Sequence, residues 1–112
     1  LIFPQPVRFP VNSSVIAESY LADLRRFAAQ LQRYPGVQVL VEGHTSSTGS
    51  LALNDRLSRA RADAVATALQ GMGVAEDRIR QEAFNYQHPV ATNDTLEGRL
   101  LNQRTEISED KQ

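Results

Sequence analysis

The feature that most constrains the fold of this chain is a strand, a loop and a long helix that follow one another. Residues 37–41 carry valine at every second position, which is typical of a strand with one buried face. A loop of small polar residues, 43–50, leads into a helix that the hydrophobic periodicity places from near Ser50 to Met72. Because such a helix must bury its apolar face, we predict that it packs on a sheet.

One arginine of this helix lies where a solvated arginine is not expected. At about 100° per residue, Arg61 falls inside the apolar arc, one turn after Leu57 and one turn before Val65. A guanidinium stays charged at ordinary pH, and burying it unpaired is costly. Arg61 is therefore expected to meet an anion, either a protein carboxylate or a ligand. The alternative is a side chain that extends to solvent or pairs internally.

The remaining elements complete a layered pattern. They are a short strand around 7–9, a helix from about 18 to 34 that ends at Pro35-Gly36, a strand over 79–84, a short helix or turn at 97–101 and a final strand over 103–107. This β-α-β-α-β order with a short helix and a closing strand predicts an α+β two-layer sandwich, with a small mixed sheet and the helices on one face. The other sheet face is expected to be more polar.

Length and composition indicate one globular domain. The chain has 112 residues, 41% apolar and 22% charged, so we predict a single domain over 1–112 with its core at about 7–108. A net charge of −1 without a basic stripe gives no support for nucleic-acid binding. No apolar run approaches the ~20 residues that span a bilayer, and no signal peptide is visible. Because the chain opens at Leu1 without a methionine, we expect a piece of a longer protein whose membrane anchor lies elsewhere.

Several motifs occur in a fixed order along the chain. They are Phe9-x-x-Asn12-Ser13-Ser14; Gly43-His44-Thr45-Ser46, Gly49, Asn54, Leu57-Ser58 and Arg61-Ala62; then Pro89-Val90-Ala91-x-Asn93-x-Thr95-x-Glu97-Gly98-Arg99 and Asn102-Gln103-Arg104. Together they resemble the OmpA-like C-terminal domain, the peptidoglycan-binding module of many bacterial envelope proteins. The resemblance spans roughly residues 7–108 and implies the same two-layer α+β fold. It also implies a periplasmic location, tethered to a membrane by a segment outside this piece.

The resemblance implies that the loop and the long helix bind the peptidoglycan stem peptide. In the family, an aspartate at the position of Ser46 takes the ammonium of diaminopimelate, and the arginine at the position of Arg61 takes its carboxylate. This chain keeps the arginine and has serine in place of the aspartate. Charge-assisted bonds contribute roughly 1.5–3 kcal/mol against about 1 for neutral ones, so we expect binding weakened by about ten-fold or somewhat more.

Three further residues are candidates for ligand contact. Thr45 and Asn54 are expected to hydrogen bond around the ligand, although Asn54 equally suits a role in satisfying the local backbone. Arg104 comes from the closing motif, where Gln103 replaces the first arginine of the family's Asn-Arg-Arg. The pocket is expected between the loop after the 37–41 strand, the start of the second helix and residues 12–14.

Nothing in the sequence predicts catalysis, a cofactor or a metal site. His44 and His88 lack metal-ligand spacing, and His44 is expected to brace the loop by hydrogen bonding. No Gly-x-Ser-x-Gly turn and no phosphate-loop ending are present, and no paired catalytic carboxylates can be placed near the loop. At 83–85, where the family often has Gly-x-Gly, Asn85 is expected to hold a left-handed turn.

Two functions therefore remain open. The leading hypothesis is a non-catalytic module that anchors an envelope protein to the cell wall, weakened by Ser46. The alternative is a domain that has lost wall binding and serves as a structural or partner-binding part of an envelope complex, such as a secretion system or a motor stator. A cell-wall enzyme is disfavoured.

Overall fold

The structure, a computed structural model that describes residues 5–110, follows the predicted order of elements. They are β1 (Val7–Arg8), α1 (Glu18–Arg33), β2 (Gln38–Gly43), α2 (Leu51–Gly71), a 3-10 turn (Glu76–Arg78), β3 (Ile79–Ala83), α3 (Leu96–Asn102) and β4 (Arg104–Asp110). The closing strand ends at Asp110, three residues beyond the predicted Ile107. The helix ends agree with the sequence signals, since Ser50 caps α2 by accepting a hydrogen bond from the backbone of Leu53.

The four strands form one mixed sheet in the order β1-β4-β2-β3. β2 and β3 are parallel, and α2 belongs to the crossover between them. β4 lies antiparallel to β2 on one side and to β1 on the other. The predicted α+β class with a small mixed sheet is confirmed. Because β4 sits beside β2, the start of β4 lies next to the loop that follows β2.

The core lies between the helices and one face of this sheet. Strand residues Val39, Val41 and Ile107 point to that face, and the apolar sides of α1 and α2 cover them. The helix contribution consists of Leu24, Phe27, Ala28, Leu31, Ala62, Val65 and Leu69. Full burial of one such large apolar side chain contributes roughly 1.5–3 kcal/mol, so this cluster holds α2 firmly in position.

The opposite face of the sheet is polar, as predicted. Glu42, Glu82 and Glu106 lie side by side on three neighbouring strands. The outer two accept hydrogen bonds from arginines, Glu82 from Arg80 at 2.5 Å and Glu106 from Arg104 at 2.7 Å. Partial burial, and then the charges of Glu106 and Glu82, raise the pKa of Glu42 above its ordinary value.

The buried stripe of α2 differs from the predicted one by a small rotation. Periodicity placed Leu57 in the apolar arc, but this residue is only half-buried, whereas Ser58 and Ala62 are fully buried. The cause is a close approach to β2, because a Cβ atom on Gly43 would lie 1.9 Å from the carbonyl oxygen of Ser58. Small residues on both sides let the helix touch the strand, and this contact places Arg61 in the interior.

Candidate functional site

Arg61 lies at the centre of the candidate site and is completely buried. Its relative exposure is 0%, and it is the largest of the side chains described as fully buried. Its position between the buried residues Ser58 and Val65 explains this, since all three share the face of α2 that packs on the sheet. The sequence prediction that Arg61 belongs to the buried arc is confirmed, and extension to solvent is excluded.

The guanidinium of Arg61 is held by neutral oxygens. Its Nε donates to the carbonyl of Ser13 at 2.9 Å, and its Nη2 donates to the carbonyl of Pro10 at 3.0 Å. Its Nη1 donates to the carbonyl of His44 at 3.1 Å and to Oε1 of Gln103. Within residues 5–110, no carboxylate is among these partners. Of the two anions expected for Arg61, the protein carboxylate is therefore not found, because four uncharged acceptors satisfy most of its donors, in line with the alternative of internal pairing. The ligand anion stays a prediction.

The burial of this charge has an electrostatic consequence. Loss of solvation lowers the pKa of Arg61 to about 10, which leaves the side chain cationic at neutral pH. The ring of Phe9 lies 5.3 Å from the guanidinium carbon and faces it, which adds a cation–π contact. The interior of the protein therefore contains a positive charge that is stabilised by dipoles and an aromatic face.

Two of the three segments predicted to form a pocket contact Arg61. The 10–13 segment and the loop after β2 both present backbone carbonyls to its guanidinium. Gln103, which lies between α3 and β4, also contacts the guanidinium, and the sequence prediction did not include it in the site. The ligand pocket itself remains a prediction, since these groups are closed around Arg61 in this conformation.

Ser46 and Gln103 are in direct contact. The amide Nε2 of Gln103 donates to Oγ of Ser46 at 2.9 Å, while its Oε1 accepts from Arg61. All three side chains are at most 3% exposed. The two departures from the family pattern, at 46 and at 103, thus form one neutral pair beside the arginine. In the family pattern these two positions carry opposite charges, an aspartate at 46 and an arginine at 103. This charge pair was the one sequence signal that could have predicted the contact.

Thr45 and Asn54 differ in whether their side chains form a hydrogen bond. The hydroxyl of Thr45 is buried and has no hydrogen-bond partner among the described residues, 5–110. The amide of Asn54 donates to the carbonyl of Thr48 at 2.9 Å. Asn54 therefore satisfies the local backbone, which was the second of its two predicted roles, whereas the Thr45 hydroxyl retains its bonding capacity.

Arg104 is not brought to Arg61. Alternation along β4 places it on the polar face of the sheet, where it bonds Glu106 and donates to the carbonyls of Asn102 and His88. Its guanidinium is engaged in these contacts. As a ligand residue Arg104 remains a prediction, and the structure separates it from the others.

The ring of His44 does not hydrogen bond, in contrast to the predicted brace. Neither ring nitrogen has a partner within the described part of the chain. The ring stacks instead on Phe84 at 5.5 Å between centroids, and His88 stacks on Phe84 from 4.4 Å. Burial, and then the charge of Arg104, lower the pKa of His44 to about 4, so the ring is neutral at physiological pH.

The backbone, not the ring of His44, fixes the loop. The His44 amide donates to the carbonyl of Arg104 at 2.8 Å, and the Thr45 amide donates to that of Asn85 at 2.8 Å. Asn85 has φ of 45°, so the predicted left-handed turn is confirmed. Its own amide donates to Oγ of Ser58, which ties the turn to α2.

Residues 5–110 contain neither a metal-binding cluster nor a membrane-spanning helix. These residues hold no cluster of three histidine, aspartate or glutamate side chains that suits a metal ion. No helix in this range is both long enough and apolar enough to cross a membrane.

Comparison with known proteins gives a family match over most of the chain. A model of the OmpA family matches residues 8–103. The probable lipoprotein YiaD of Escherichia coli is 41% identical over 108 residues, which cover 96% of this chain and 49% of that protein. The peptidoglycan-binding protein ArfA of Mycobacterium tuberculosis is 36% identical over 102 residues, which cover 91% of this chain and 31% of ArfA. The chain thus spans half or less of the length of these curated relatives.

A solved structure has the same fold. The peptidoglycan-associated lipoprotein from Burkholderia pseudomallei superposes with a TM-score of 0.91 and 27% identity. The match covers 94% of this chain and 89% of that one.

Proposed function

This chain belongs to the OmpA family, and from that membership we propose that it is a non-catalytic peptidoglycan-binding domain. It would anchor a longer envelope protein to the cell wall from the periplasm, with a membrane tether outside residues 1–112. The similarity to the peptidoglycan-binding protein ArfA and to the peptidoglycan-associated lipoprotein of B. pseudomallei supports wall binding as the activity. The lengths of YiaD and ArfA support a single domain within a longer protein.

The observation that carries the proposal is the uncompensated charge of Arg61. Its guanidinium is cationic, buried and held by neutral acceptors only, within the described residues. A carboxylate of the stem peptide would form a charge-assisted hydrogen bond with Arg61. The low dielectric of the protein interior would strengthen the attraction between the two charges. The hydroxyls of Ser46 and Thr45 lie in the same loop and would bond the remainder of the ligand end group.

Ser46 makes the proposed binding weaker than that of a site with an aspartate. A serine hydroxyl accepts a hydrogen bond from an ammonium without neutralising its charge. The interaction with a diaminopimelate ammonium is therefore expected to lose about ten-fold in affinity. Arg61 is retained, so the proposed interaction with the ligand carboxylate is preserved.

Sedimentation with purified diaminopimelate-type peptidoglycan tests the proposal. The wild-type protein should pellet with the wall material, and Arg61→Lys should pellet much less, since lysine keeps the charge but not the forked geometry. Arg59→Lys is the matched control, because Arg59 is an exposed arginine of the same helix. Failure of the wild-type protein to pellet, in a folded sample, would contradict wall binding.

One observation favours a second candidate function. The donors of Arg61 are engaged by the protein itself, and Ser46, Thr45 and Arg61 are at most 1% exposed. A site closed in this way suits a domain that serves as a structural or partner-binding part of an envelope complex. That function becomes the better proposal if neither the wild type nor any variant with a more open site pellets with the wall.

A further inference from the structure

Gln103 occupies both halves of the binding site at once. Its Oε1 accepts from Arg61, at the place where a ligand carboxylate would be held. Its Nε2 donates to Ser46, at the place where a ligand ammonium would be held. One carboxamide therefore satisfies the two residues that the proposed function assigns to the two ends of a zwitterionic ligand.

We propose that Gln103 is an internal competitor for the peptidoglycan ligand and determines the affinity of this site. The inference rests on the proposed function and concerns the same site. A carboxamide resembles an amino-acid end group in offering an acceptor oxygen and a donor nitrogen on one short group. It lacks the charges, so a charged ligand forms the stronger bonds to Arg61 and displaces it.

The backbone around Gln103 is fixed, so only its side chain has to move. Its amide donates to the carbonyl of Leu100 at 3.3 Å, and its own carbonyl accepts from the amide of Phe9 at 2.9 Å. Asn102 before it is wholly buried, and Arg104 after it is held on the other face of the sheet. Rotation of the Gln103 side chain away from Arg61 is therefore the smallest change that opens the site.

A molecule is open when the Gln103 side chain has turned away from Arg61, and only open molecules bind the ligand. The apparent affinity is therefore the intrinsic affinity multiplied by the fraction of molecules that are open. If the closed arrangement is populated about nine times in ten, the apparent dissociation constant rises about ten-fold. Removal of the carboxamide should recover that factor. Replacement of it by a carboxylate should do the opposite, because an internal anion would hold Arg61 more tightly than any neutral group.

The test compares Gln103→Ala and Gln103→Glu by wall sedimentation. We expect Gln103→Ala to bind about ten-fold more tightly than wild type and Gln103→Glu to bind at least ten-fold more weakly. Gln81→Ala and Gln81→Glu are the matched controls, since Gln81 is an exposed glutamine whose amide bonds Asp63. A purely structural role for Gln103 predicts that neither variant binds better than wild type.

A second measurement separates this inference from the proposed function. Sodium acetate, which carries only a carboxylate, should raise the melting temperature of Gln103→Ala at about one tenth of the concentration that wild type needs, at matched ionic strength. If acetate stabilises Gln103→Ala at this lower concentration but no protein pellets with the wall, the competitor role stands and wall binding fails. If wild type pellets, and Gln103→Ala shows neither tighter binding nor the lower acetate requirement, the competitor role is overturned. Should Gln103→Ala not fold by circular dichroism, unchanged wall binding of Gln103→Glu overturns it.

Discussion

Arg61 and Arg104 are both buried arginines on opposite sides of one sheet, and they differ in what surrounds their charge. Arg104 is 3% exposed and has a carboxylate partner, Glu106, at 2.7 Å. Arg61 is 0% exposed and has carbonyl oxygens and one carboxamide. An arginine that its own chain neutralises has little to gain from an external anion, whereas one held by dipoles alone still gains a full charge interaction. Arg61 is therefore the better candidate for ligand binding, although Arg104 belongs to a motif of the same family.

The largest expected effect is on stability, when each arginine is removed. Arg61→Ala should lower the free energy of unfolding by about 3–5 kcal/mol, because the carbonyls of Pro10, Ser13 and His44 and the side-chain oxygen of Gln103 lose their donor. Arg104→Ala should cost less, about 1–2 kcal/mol, since Glu106 is 37% exposed and water can solvate its carboxylate. Urea denaturation followed by circular dichroism measures both.

Arg61→Ala is not suitable as a test of binding. A variant that loses this much stability cannot separate binding from folding, which is why the sedimentation test uses Arg61→Lys. Equal losses for the two arginines would show that the neutral acceptors around Arg61 hold it no more strongly than one exposed carboxylate holds Arg104.

The next effect in size depends on pH and concerns His44, which lies next to both arginines. Burial lowers the pKa of His44 from 6.5 to about 4, so the folded state binds a proton less readily than the unfolded state. Stability is therefore complete above pH 6.5 and falls as the pH decreases toward 4. Arg104, Glu106 and His88 are the charged or titratable groups that act on the ring, and Arg104 strengthens the effect.

His44→Phe keeps the stack on Phe84 and removes this titration. Between pH 7 and pH 5 the wild type should lose about 1–2 kcal/mol more than His44→Phe does, allowing for partial burial. Urea denaturation at the two pH values measures this difference in stability. Glu76→Gln, a substitution at an exposed position, is the control. Parallel losses in wild type and His44→Phe would show that His44 is protonated without penalty in the folded protein.

A smaller effect is expected from restoring the aspartate at position 46. Ser46→Asp alone gives Gln103 a charged acceptor and so strengthens the internal contact as well as the ligand contact. Its gain in wall binding should be about 1 kcal/mol or less in the wild-type background and about 1–2 kcal/mol in the Gln103→Ala background. Titration of the four proteins with wall fragments forms a double-mutant cycle. Equal gains in the two backgrounds would show that Gln103 and the ligand do not compete for position 46.

The order of elements and the buried arginine could be predicted because both depend on periodicity within the sequence. The partners of Arg61 could not, since two of them are backbone carbonyls of the 10–13 segment, and any residue supplies a carbonyl. The contact between Ser46 and Gln103 joins positions 57 residues apart, and only the pairing of β4 with β2 brings them together. The brace expected from the His44 ring was wrong because the backbone of the same residue makes the bonds that fix the loop.

The smallest expected effect arises on the polar face, where Glu42 lies between two carboxylates. Partial burial and the charges of Glu106 and Glu82 raise its pKa above the ordinary value of 4.5, so the folded state binds a proton more readily than the unfolded state. The stability that this proton contributes is present below pH 4.5 and is lost as the pH rises through the folded pKa. At neutral pH the ionised Glu42 therefore opposes folding, and Glu42→Gln removes the repulsion while keeping the shape of the side chain. We expect a gain of about 0.5 kcal/mol at pH 7, limited by solvent screening of this half-exposed row, and no gain at pH 4. A gain of equal size at both pH values would mean that packing of the amide, and not relief of charge repulsion, stabilises the variant. The polar face would then carry no unfavourable charge, and Arg61 would be the uncompensated charge of this comparison.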